Sequence, residues 1–111
     1  MNKNTNFHVL EVALELIRVV APLLLRLDPD LAKQVRRSLS STPANIGEGN
    51  RRAGRDRVYH FRVAWGSADE TRVHLRSAEA FGYVGAADIA GALELADRVC
   101  AMLYRLTGSR G

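Results

Sequence analysis

Seven arginines lie between Gln34 and Arg62: Arg36, Arg37, Arg51, Arg52, Arg55, Arg57 and Arg62 itself. They surround a run of small and polar residues centred on Ser38, Ser41, Pro43, Asn45, Glu48 and Gly49. A guanidinium stays charged at physiological pH, and its planar fork donates two parallel hydrogen bonds, which suits it to phosphate. With Lys33, the stretch carries eight basic groups against Glu48 and Asp56, a balance of +6 in a chain whose net charge is +4. The rest of the chain therefore sums to −2, and the positive excess is confined to one segment, as on an anion-binding surface. A solvated charged face without a partner is the plainer alternative. No finger, helix-turn-helix or other base-reading pattern is present. The expectation is therefore binding of RNA or DNA with little sequence specificity, through Arg36, Arg37, Arg51, Arg52, Arg55 and Arg57.

Other chemistry is thinner. Arg55 and His60 are spaced Arg-x4-His at the start of a helix, which resembles the catalytic motif of the helical HEPN ribonucleases. There such a pair would assist attack by a ribose 2′-hydroxyl. Two fixed residues recur by chance in so arginine-rich a chain, and no catalytic residue is assigned. Glu70 and His74 share a helix face at i, i+4, but a carboxylate-bridged bundle needs such a pair from each of two helices, so no metal or cofactor is expected. No phosphate-cradling glycine loop and no nucleophile elbow occur. Cys100, the single cysteine, excludes an internal disulfide and a cysteine zinc site; it fits a core position and a reducing cytosol.

The elements that must position these residues are helices. At 111 residues the chain makes one domain, and 47% apolar residues with only 6% aromatic ones favour an all-α fold over a sandwich or barrel. No signal-peptide pattern is visible, and Glu11, Glu15 and Arg18 interrupt the first apolar segment, so the expectation is a cytoplasmic protein without a membrane partner. Four helices are expected over about residues 7–26, 29–51, 55–81 and 86–107, joined by short turns into an up-down-up-down bundle. Thr5 or Asn6 is the expected first cap, and Pro22 should kink the first helix rather than break it. That helix is apolar around most of its circumference, more than one core requires, which points to burial against another subunit. In the second helix Leu31, Val35, Leu39, Thr42 and Ile46 form the core face, beside a small polar stripe of Gln34, Ser38, Ser41, Asn45 and Glu48. The third pairs a core stripe of Phe61, Ala64, Ala68, Thr71, Leu75 and Ala78 with a polar one through His60, Ser67, Glu70 and His74. Asn45, Glu48, Ser67 and Glu70 are expected to form a polar network that sets helix register, within or between subunits.

The run QVRRSLSSTPANIGEG from Gln34 to Gly49, then Phe61, the Ala64-to-Glu70 run ending GSADE and the FGY at Phe81–Tyr83 carry a family resemblance. The chain is similar over about residues 7–107 to a four-helix-bundle family. Its members include proteins encoded in intervening sequences of bacterial large-subunit ribosomal RNA genes, and the accessory protein of diversity-generating retroelements. Here Gly47 stands where alanine is usual before the glutamate. The resemblance implies a homopentamer, five bundles in a ring around a channel, and nucleic-acid binding by a basic surface. The retroelement members also bind a reverse transcriptase, so an assembly or adaptor protein with a protein partner is the alternative function.

Overall fold

The computed structural model describes residues 3–108, with side chains from Phe7 onward. The end of the TGSRG tail, residues 109–111, lies outside the described residues. The chain runs through helix α1 (Lys3–Val20), a 3₁₀ segment (Ala21–Arg26), and helices α2 (Pro29–Asn50), α3 (Gly54–Ala80) and α4 (Ala86–Leu106). Helix α1 already includes Thr5 and Asn6, so neither is its cap. Pro22 has no N–H to give the Arg18 carbonyl, and the chain tightens into the 3₁₀ segment there instead of continuing as a kinked helix.

Local chemistry sets the other boundaries. Asp28 Oδ2 accepts from the N–H groups of Asp30 and Leu31, 3.1 and 3.2 Å away, and Pro29 occupies the first helical position of α2. Helix α3 ends where Gly82 takes φ +82°, which lets the Tyr83 N–H turn back onto the Ala78 carbonyl at 3.0 Å. Asp88 starts α4 by accepting from the Gly85 N–H at 2.7 Å; Arg26 donates to the same carboxylate oxygen at 3.1 Å, tying the 3₁₀ segment to α4. Both donors hold the Asp88 carboxyl below the usual range, the Gly85 N–H most strongly.

The core is divided along the bundle axis. One apolar cluster gathers Leu16, Val20, Val35, Leu39, Leu75 and Ile89; the other gathers Val9, Val12, Ile46, Phe61, Val99 and Leu103. Between them sits a layer of buried hydroxyls from Ser38, Thr42 and Thr71. The long axis of 42 Å matches the 27 residues of α3 at 1.5 Å each, about 40 Å, so α3 runs the length of the molecule. Its most extensive contact is with α2.

Near the α2–α3 turn, Gly49 of α2 lies directly against the Phe61 ring of α3. A Cβ there would lie 2.5 Å from Cε1 of Phe61, a ring buried in the core, whereas a Cβ at Gly47 would meet nothing within 4 Å. The two glycines should therefore respond oppositely to alanine. Gly49→Ala is expected to cost about 1–3 kcal/mol by overpacking, and Gly47→Ala to add about 0.5–1 kcal/mol by lowering unfolded-state entropy. Urea denaturation followed by circular dichroism measures both.

Candidate nucleic-acid interface

The small polar stripe of α2 lies against α3 inside one protomer. Ser38 Oγ and Thr71 Oγ1 share a hydrogen bond of 2.7 Å, with both residues almost fully buried. One helical turn on, Ser41 Oγ meets Ser67 Oγ at 2.8 Å. Asn45 Nδ2 donates back to the Ser41 carbonyl and hydroxyl at 3.0 and 3.2 Å, and its Oδ1 lies 3.1 Å from Nδ1 of His60. Small side chains let the backbones approach, and the hydroxyls satisfy one another where water is excluded.

This chain of bonds differs from the network expected from the sequence. Asn45 and Ser67 belong to it, linked through Ser41; Glu48 and Glu70 do not. Glu70 is exposed and bonds His74 within its own helix at 3.1 Å. Glu48 accepts from Arg52 at 3.0 and 3.1 Å and pairs with Arg51 as well. The Arg52 hydrogen bond first, and then the Arg51 charge, hold its carboxyl below the usual range. His60, the histidine of the Arg-x4-His spacing, lies against Asn45 of α2, while Arg55 is exposed on the first turn of α3. Among the described residues no group of three or more His, Cys, Asp or Glu gathers to hold a metal.

The six arginines assigned to nucleic acid have different fates. Arg57 Nε donates to the Gly49 carbonyl at 3.1 Å and Nη2 to the Asn50 carbonyl at 3.3 Å, so it closes the C-terminus of α2. Arg51 and Arg52 are tied to Glu48, with Asp56 3.8 Å from Arg52. Arg36, Arg37 and Arg55 are exposed and, with Arg62, form no hydrogen bond or ion pair through their side chains among the described residues. They are not one patch. Fifteen residues of helix separate Arg36 from Arg51, about 22 Å at 1.5 Å per residue. Arg36 and Arg37 thus lie well away from Arg51, Arg52 and Arg55 at the α2–α3 turn, and Arg62 stands about two turns along α3.

On the other side of α3, Arg72 bridges Asp69 and Asp97, which together raise its pKa further and fasten α3 to α4. Cys100 lies behind it, its thiol pushed up to about 11 by burial, so it is an unreactive core residue. Trp65 packs edge-on against Tyr104, the ring centroids 5.4 Å apart. The Arg57 cap and the His60–Asn45 bond escaped sequence reasoning. The weakness of Gly47 and Gly49 at the helix end was the available signal for the first, and nothing local marks the second.

A family model described as 23S rRNA-intervening sequence protein matches residues 8–105. Among solved structures, the chain is similar to the crystal structure of a protein of unknown function from the S23 ribosomal protein family of Bacteroides thetaiotaomicron. The two share 21% identity with a TM-score of 0.83, over 94% of this chain and 98% of the other, which is a likeness of fold. No curated protein matches. No helix among the described residues is long and apolar enough to cross a membrane.

The hydroxyl layer gives a sharp expectation. Thr71→Val keeps the shape but removes the cross-helix partner of Ser38, whose hydroxyl keeps only its bond to the Val35 carbonyl at 3.2 Å, and should cost about 1–2 kcal/mol. Adding Ser38→Ala removes the half-satisfied hydroxyl too, and the double variant should cost less than the two single losses summed. A double-mutant cycle by urea denaturation reads the coupling.

Proposed function

We propose that this chain, which belongs to the 23S rRNA-intervening sequence protein family, is a non-enzymatic nucleic-acid-binding protein that works as a homo-oligomer. The observation that carries the reading is a group of exposed guanidiniums within residues 34–62 that have no acidic partner among the described residues, Arg36, Arg37, Arg55 and Arg62; Arg76, Arg98 and Arg105 on α3 and α4 are exposed and unpaired there too. Arg51 and Arg52 add to it, their charge partly offset by Glu48. Such groups hold phosphates without reading bases, so binding is salt-dependent and tolerant of sequence. Fluorescence anisotropy with a labelled oligonucleotide is expected to give micromolar or tighter binding at 50 mM salt. If four phosphates are neutralised per protomer, log K should fall with log salt with a slope of about −3. Arg55→Gln should flatten that slope by close to one. No binding at 50 mM salt removes the reading.

The oligomer is supported by α1. Phe7, Leu10, Leu14 and Ile17 recur at spacings of three and four, so they share one flank of the helix. Phe7 is exposed and the other three half-buried, and Leu14 packs against neither core cluster. A ring of five bundles is the assembly implied by the family resemblance, and avidity across its subunits would multiply weak phosphate contacts. An adaptor that holds a protein partner, such as a reverse transcriptase, shares this assembly and needs no nucleic acid. Size-exclusion chromatography with light scattering is expected to show an oligomer that Leu14→Glu dissociates to monomer. A monomeric wild-type chain overturns the assembly.

A further inference from the structure

The aromatic rings near the α2–α3 turn are placed unlike core residues. Tyr59 follows Arg55 by four residues and precedes Arg62 by three, and all three are exposed, so they form one outward line on α3. Tyr59 is 62% exposed. Its ring stands edge-on to His60, with centroids 5.1 Å apart and planes at 77°. His60 is in turn held by Asn45, so the tyrosine is braced from the α2–α3 seam without being buried by it. One turn further along, a shallow groove opens, lined by Arg62, Trp65, Gly66 and the Arg72–Asp69 ion pair, in which Arg72 offsets the carboxylate. A Cβ at Gly66 would meet nothing within 4 Å, so the groove floor is backbone open to a flat ligand. Trp65 is its aromatic wall, braced edge-on by the ring of Tyr104.

We infer that this surface takes an unpaired, single-stranded segment of nucleic acid, with phosphates on Arg55 and Arg62 and bases stacked on Tyr59 and in the groove beside Trp65. The inference rests on the nucleic-acid reading above and specifies its ligand. Duplex cannot use these rings. Its bases are already stacked on one another, and a major groove about 12 Å wide admits a single helix. Here α3 is flanked by α2 and α4 at bundle distances of about 8–10 Å, so it cannot enter such a groove alone. A single strand leaves base faces free, and stacking on aromatic side chains is tolerant of sequence because every base has a π-face. The basic charge supplies the complementary attraction for the backbone.

The test compares a 12-nucleotide single strand, as RNA and as DNA, with a duplex of the same sequence, by anisotropy at 50 mM salt. The single strands are expected to bind more tightly than the duplex. Tyr59→Ala should weaken single-strand binding at least about fivefold while leaving duplex binding and the salt slope unchanged, and Tyr59→Phe should retain the wild-type preference. Because Tyr59 is exposed, a matched thermal melt will confirm that the alanine variant folds. Equal affinity for single strand and duplex, or a Tyr59→Ala variant that keeps the preference, overturns the inference and leaves phosphate binding standing. Loss of all binding in the wild-type chain overturns both.

Discussion

The close contact between α2 and α3 is the constraint on which the rest of the molecule depends. Along it, Ser38 meets Thr71, Ser41 meets Ser67, Asn45 meets His60, and Gly49 lies under the ring of Phe61. Every step uses a side chain small enough to let the backbones approach, or a polar group that finds its partner across the seam. In an apolar interior an unpaired hydroxyl is costly and a paired one is nearly neutral, so the pairs specify register more than they add stability. Sliding α3 by one turn would separate Ser38 from Thr71, leaving each hydroxyl only the carbonyl it bonds in its own helix, and would drive a larger side chain against Phe61.

The seam also decides which arginines remain available. Helix α2 ends at Asn50, one residue beyond the Gly49–Phe61 contact. Its last carbonyls need donors, and Arg57 supplies them. Glu48, in the last turn of α2, draws in Arg51 and Arg52. Once these are committed, Arg55, Tyr59 and Arg62 are left on the side of α3 that faces away from α2. A stretch with a balance of +6 thus separates into residues that close a helix, residues that neutralise a carboxylate and residues exposed to solvent.

Much of the fold was legible from spacing. Phe61, Ala64, Ala68, Thr71, Leu75 and Ala78 are all buried, as their three- and four-residue intervals require, and the Asp28-Pro29 pair opens α2 as its chemistry dictates. Pro22 was legible as a disruption, but its outcome was not. Whether a missing N–H yields a kink or a 3₁₀ segment depends on what packs around the freed carbonyl. Glu48 and Glu70 were assigned to the seam because they continue the polar stripes. They fall outside it because a carboxylate at a helix surface gains more from an adjacent Arg or His than from burial among hydroxyls.

What the amino-acid order determined by itself is the part governed by local periodicity: an all-α chain, its four helical segments, their apolar faces, the small polar stripes and the confinement of positive charge to one stretch. Tertiary structure decided the role of each polar side chain. Arg55 and Arg57 are the same residue two positions apart, yet one is exposed and the other is spent on the carbonyls of α2. Their difference is 200° of rotation about α3, at about 100° per residue. Which direction meets α2 is settled only when the hydroxyls of the seam find their partners.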